Sequence, residues 1–158
     1  MEKILASKAK IRFQDCDPFN HLNNSKYLDY FINAREDQVK ENYNLDIFEM
    51  IKTEKIGWVV ATNQIAYLQP AFTMETVTIK SQLIQFSEKS LLVEMTMWDE
   101  SASKLKAVSW PKFIHVDIRT QSSMKHSEKL MELFQSIVVP SGQHYFEERC
   151  KELMATLK

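Results

Sequence analysis

Glycine is nearly absent from this chain: only Gly57 and Gly142 occur in 158 residues. That scarcity excludes every glycine-rich phosphate cradle, because neither G-x-G-x-x-G nor a P-loop can be written. Cysteine is as scarce, with Cys16 and Cys150 alone. They do not make a disulfide framework, and without a secretory signal they read as two reduced thiols in a cytoplasm. No apolar run is long enough for a signal peptide or a membrane span. Neither sign of charge dominates: 20 basic and 21 acidic residues leave a net charge of −1. A global basic field toward nucleic acid or an anionic membrane is therefore missing.

What is present is a globular composition, 44% hydrophobic and 26% charged, on a chain of one-domain size. Ile11 and Phe13 alternate with Lys10, Arg12 and Gln14, which predicts a strand over Ala9–Gln14. Asp15 to Asn24 is rich in turn residues. Asn23 or Asn24 then caps a helix over Ser25–Asn42, apolar nearly all round in its first turns and polar from Arg35 onward, where it should emerge into water. A short helix fits Ile47–Lys52. Strands follow over Gly57–Leu68, Thr76–Phe86, Ser90–Trp98 and Leu105–Ile118. The second of these slips phase near Leu83-Ile84, and Pro111 in the last predicts a bulge or an unpaired edge. Two helices, about Ser127–Val138 and Gln143–Leu157, close the chain with apolar stripes for packing. The order implies an α+β fold in which an antiparallel sheet curls round the apolar helix.

The densest polar cluster, Asp15-Cys16-Asp17-Pro18-Phe19-Asn20-His21-Leu22-Asn23-Asn24, lies between the first strand and the helix start. N–H groups at a helix start lack intrahelical partners and carry partial positive charge, so they can hold an oxygen that develops negative charge. A carboxylate beside them can act as nucleophile or general base. The residues alone fit turn chemistry equally well: Asp-Pro starts turns, Asn caps helices, and His21 can be a structural hydrogen-bonder. One Cys and one His do not make a zinc spacing, so no metal is expected. His115, His126 and His144 are scattered and read as strand or surface residues.

Arg12 to Arg35 resembles the opening motif of hotdog-fold acyl-CoA thioesterases, closest to the 4-hydroxybenzoyl-CoA thioesterase-like group. The D-x-D motif and the Asn and Tyr that open the helix are matched by Asp15, Asp17, Asn24 and Tyr27. His21-Leu22-Asn23-Asn24 is similar to the H-V-N-N of acyl-carrier-protein thioesterases. Tyr67-Leu68-Gln69-Pro70 and Phe113-Ile114-His115-Val116-Asp117 resemble later strands of the family, so that the likeness runs from about Ala9 to Val138. Two departures stand out. Asn20 occupies a position that the family often gives to Gly, and Met74-Glu75 replaces a common Gly-Asp.

The resemblance implies a five-stranded antiparallel sheet wrapped round a long central helix, over residues 1–138, with a C-terminal helical extension over 139–158. It implies thioester hydrolysis of an acyl-CoA, or of an acyl-carrier-protein thioester, in a cytoplasmic homodimer or homotetramer without cofactor. Asp17 becomes the catalytic carboxylate, with His21, Asn23 and Asn24 around the thioester carbonyl and Tyr27 and Asn63 toward the substrate. Two alternatives share the fold: a non-catalytic acyl-thioester-binding protein, and an enoyl-thioester hydratase. The hydratase spacing of four residues between Asp and His fits neither Asp15 nor Asp17 against His21.

Overall fold

The computed structural model describes residues 1–157. Strand β1 (Leu5–Lys10) is followed by a 3-10 turn at Phe13–Asp15, a second at Asn24–Lys26, and helix α1 (Tyr27–Tyr43). Helix α2 (Ile47–Thr53) leads into β2 (Ile56–Tyr67), β3 (Thr76–Phe86), β4 (Ser90–Asp99) and β5 (Leu105–Asp117). A two-residue β6 (Ser122–Ser123), α3 (Glu128–Ile137) and α4 (Phe146–Ala155) complete the chain. The sheet runs β1-β3-β4-β5-β2, antiparallel throughout, with β6 paired to the end of β5. This is the curled α+β sheet on a long helix that the sequence predicts.

The first strand lies earlier than predicted. Leu5 is buried and Ser7 and Ala9 half-buried, so the alternation that ends at Ile11 begins in β1. Phe13, which extends the same pattern on paper, is 80% exposed because the chain turns there. The helix start is as expected: the Asn23 side chain accepts the Ser25 N–H at 2.9 Å. Its second half does not simply emerge into water. Gln38 and Val39 are buried, and Gln38 bonds Ser7 Oγ and the Ile79 carbonyl.

The phase slip in β3 is a bulge at Ile84, between the pairs Leu83↔Val93 and Gln85↔Leu92. Leu83 therefore faces the helix while Ile84 joins the outer cluster. Pro111 does not sit on an edge, since β5 lies between β4 and β2. The interruption it predicts appears as a gap in the β4–β5 pairing between Leu92↔Lys112 and Met95↔Ser109, and as a β2 register shift between Val60 and Thr62. Phe31, Ile79, Leu83, Met95 and Met97 fill the space between α1 and the inner sheet face. A second cluster of Trp98, Val108, Trp110, Phe146 and Cys150 seats α4 on the outer face. Cys16 and Cys150 are both free thiols.

His115 and His126 are both buried, their rings stacked at 4.8 Å, and the Trp58 indole donates to His126 Nε2 at 3.0 Å. His115 belongs to β5 as expected, but His126 is neither a strand nor a surface residue. Only His144 is exposed.

Candidate active site

The polar loop before α1 is tied at both ends. Ile11 N–H donates to the Glu75 carbonyl, Leu22 N–H to Ala71, and Asn23 N–H to Asp15. Within it, Asp17-Pro18-Phe19-Asn20 forms a tight turn closed by Asn20 N–H on the Asp17 carbonyl at 3.1 Å. Asn20 takes a left-handed backbone, φ 69°, which is the conformation that glycine supplies in the family motif and that asparagine tolerates. The Asp17 side chain closes the turn a second time: its Oδ1 accepts N–H from Phe19 at 2.9 Å and from His21 at 3.1 Å.

Asp17, His21, Asn24 and Tyr27 line one cleft of about 240 Å³, together with Leu22 and the segment Tyr67 to Pro70. Asn24 opens the 3-10 turn that leads into α1, and its N–H donates to no group among the described residues. A carboxylate residue and the residue at the helix start thus line one opening. The His21 imidazole makes no hydrogen bond among the described residues and meets the Phe72 ring edge-on at 5.3 Å. Tyr27 is buried, and its hydroxyl accepts the Ala71 N–H at 3.4 Å. Burial raises its pKa, keeping the phenol neutral.

Two predicted residues lie elsewhere. Asn23 is exposed outside the cleft and works as the helix cap, also bonding the Ser25 hydroxyl. Asn63 is on β2, away from the cleft walls, where its Oδ1 accepts the Ser109 hydroxyl at 2.5 Å.

Three groups supporting the cleft escaped the sequence reading. The Tyr67 hydroxyl donates to the Asn24 carbonyl at 3.0 Å, and its ring meets Tyr27 edge-on. The Tyr30 hydroxyl donates to Asp15 Oδ2 at 2.6 Å and accepts the Arg12 N–H, which clamps the loop to α1. Burial and then the Asp15 bond push the Tyr30 pKa up to about 12. Under the cleft, buried Lys106 pairs with Glu75 at 3.0 Å and donates to the Pro70 carbonyl at 2.9 Å. The D-x-D spacing hinted at Asp15. Nothing local marks Lys106, whose contacts are made across the fold.

No group of three or more His, Cys, Asp or Glu among the described residues is placed to hold a metal ion. No helix among them is long and apolar enough to cross a membrane.

The chain is 28% identical over 134 residues to the long-chain acyl-CoA thioesterase FadM of Escherichia coli, covering 85% of this chain and 99% of that protein. Among solved structures it resembles YbaW of Escherichia coli, described as a probable thioesterase, with a TM-score of 0.71 at 28% identity over 85% of this chain and 99% of the other. A 1,4-dihydroxy-2-naphthoyl-CoA thioesterase from Synechocystis shares the fold, with a TM-score of 0.75 at 11% identity over 87% of this chain and 99% of the other. The family model of the thioesterase-like superfamily matches residues 11–140, which contain the whole cleft and every strand but β1, and the chain belongs to that superfamily.

Proposed function

We propose that this protein is an acyl-CoA thioesterase in which Asp17 is the catalytic carboxylate and the start of α1 is the oxyanion site. The observation that carries the reading is the shared cleft, which is lined by both Asp17 and Asn24, the latter with an N–H that donates to no group among the described residues. As a general base, Asp17 takes a proton from water while the water oxygen bonds the thioester carbonyl carbon. The carbonyl oxygen gains negative charge, which the helix-start N–H groups stabilise. Collapse breaks the C–S bond, and the departing thiolate takes up the proton. As a nucleophile, Asp17 would bond the carbonyl carbon itself while the C–S bond breaks and the thiolate leaves, giving an anhydride that water opens to the free acid and the Asp17 carboxylate, with the water's protons passing to the thiolate and the solvent. His21 and Asn24 orient the carbonyl or the water, and the Tyr27–Tyr67 wall packs against the substrate. Asn63 remains a proposed substrate contact only if a second copy brings β2 to the cleft.

We take residues 1–138 as the catalytic domain and 139–158 as its extension, and the working form as a cytoplasmic homodimer or homotetramer. The name of the FadM relative makes long-chain acyl-CoAs the first substrates to test. The test is free-thiol release across acyl-CoAs of graded chain length, wild type against Asp17→Asn. The expected loss in kcat is about 10²–10⁴-fold, and an undiminished rate removes Asp17 from the mechanism.

One observation favours a second reading, a non-catalytic acyl-thioester-binding protein: Asp17 Oδ1 already accepts two backbone N–H groups, as a turn-forming aspartate does. Tight binding of acyl-CoA with no turnover across the panel would establish it.

A further inference from the structure

A second cavity, separate from the Asp17 cleft, lies between α1, the inner sheet face and α3. It measures about 180 Å³, and its wall is apolar along Ile32, Trp58, Val93 and Leu133. Two charged residues, Arg35 and Glu36, also line it. Glu36 is exposed. Arg35 is not: it reaches inward from α1, and its Nη1 donates to Ser81 Oγ at 2.8 Å. Ser81 is itself buried and gives its own proton to Gln38 Oε1, so Arg35 has only a neutral partner there. The Tyr43 ring lies 6.0 Å from the guanidinium. No carboxylate among the described residues lies within 4.0 Å of it.

A guanidinium carries five N–H donors in a fork that matches a carboxylate. No side-chain nitrogen or oxygen among the described residues is both fully buried and unpartnered, so any Arg35 donor without a protein partner reaches accessible space. Burial pulls the Arg35 pKa down to about 10, which still leaves it a cation at neutral pH. Holding a charge against an apolar wall with only the neutral Ser81 and Tyr43 beside it costs free energy that an incoming anion would offset.

We propose that this cavity is a binding site for a free carboxylic acid, with the carboxylate on Arg35 and the apolar tail among Ile32, Val93 and Leu133. An apolar cavity of about 150 Å³ accepts benzene, so this one suits a tail of about six to eight carbons or a single aromatic ring. A carboxylic acid is also what the proposed reaction releases. The site stands whether or not Asp17 is catalytic.

Trp58 lines the cavity and reports its occupancy, whereas Trp98 and Trp110 belong to the outer cluster. The experiment titrates the full chain with octanoate and with octanol, which has the same tail without the charge, reading tryptophan fluorescence and calorimetry. Octanoate is expected to bind at least about tenfold more tightly than octanol, and Arg35→Met to abolish the difference. Leu133→Trp, which fills the cavity and leaves the Arg35–Ser81 bond, is expected to remove binding of both, and it carries the test if Arg35→Met does not fold. Asp17→Asn is expected to bind octanoate like the wild type. Equal binding of acid and alcohol, undiminished octanoate binding in either cavity variant, or no octanoate binding by the wild type overturns the proposal. Loss of binding in Asp17→Asn also overturns it, by placing the acid in the other cleft.

Discussion

Asn20 and Met74 share a left-handed backbone, φ 69° and 67°, at the two positions where the family motif favours glycine. They hold opposite sides of one contact, because Thr73 N–H donates to the Asn20 carbonyl and Met74 N–H to the Ile11 carbonyl. Asparagine tolerates this region, but methionine does not gain the same local hydrogen bonding. The strain at Met74 is about 1–2 kcal/mol. Met74→Gly relieves it at a cost of about 0.4–1 kcal/mol in the entropy of the unfolded chain. The expected outcome is a net gain of about 0.5–1 kcal/mol, seen as a higher urea midpoint with an unchanged slope. A lower midpoint would show that the Met74 side chain, 54% exposed, packs more tightly than that exposure indicates. Glu75, the other half of the departure, keeps a carboxylate where the motif has Asp: it accepts the Phe72 N–H and pairs with Lys106. The motif residues were legible because a short turn and a helix cap are local. The place of Asn63 outside the single-copy cleft was not legible, because a strand residue's position relative to the cleft depends on register and on the edge it occupies.

Among elements, α4 is tied to the sheet by one buried charge besides its apolar seat. Glu94 on β4, 3% exposed, accepts from Trp110 Nε1 at 3.0 Å and from Arg149 Nε and Nη2, each at 2.8 Å. Arg149→Met would leave a buried carboxylate with one neutral donor, at a cost of about 2–4 kcal/mol. Adding Glu94→Gln should recover much of that loss in thermal melts, and failure to recover it would place the cost in packing against the Arg149 stem. The His115–His126 stack secures the segment before α3 in the same way. His126 N–H donates to the Glu88 carbonyl, its Nδ1 contacts the Ser87 carbonyl at 3.0 Å, and its Nε2 takes the Trp58 proton. Burial lowers both histidine pKa values, and His115 lowers that of His126 further. The unfolded chain therefore binds more protons than the folded one between the lowered values and the ordinary value of about 6.5. The contribution is complete above about pH 6.5 and is lost as pH falls through the lowered values. Melting temperature should drop on acidification from pH 7.5 to 5, with a shallower slope in His115→Gln/His126→Gln; an identical slope would assign the effect to other groups. Strands and helices were readable from periodicity, and even the Ile84 bulge showed as a phase slip. The stack was not, since Trp58, His115 and His126 meet only through the β2–β5 pairing and the return of the chain after β6. The first strand was misplaced for a related reason: Phe13 continues an alternation that the backbone abandons two residues earlier.

At the scale of the molecule, β2 is the unfinished part. It is a 12-residue edge strand that pairs only with β5 among the described residues. Val59 and Val60 on it are 50% and 41% exposed. A long apolar edge without a proline or an inward charge is a template for another strand. A second copy offers an identical edge, and two-fold antiparallel pairing would satisfy both at once. The same pairing would bring β2 of one copy, with Asn63, toward α1 of the other, which a single copy does not do. Val59→Lys places a charge on the outward part of this edge without touching the Asp17 cleft or the Arg35 cavity. Sedimentation should show a dimer for the wild type and a monomer for Val59→Lys, with thioesterase activity falling in proportion to the dimer lost. A fully active monomer would show that one copy holds a complete site, and Asn63 would then have no part in it.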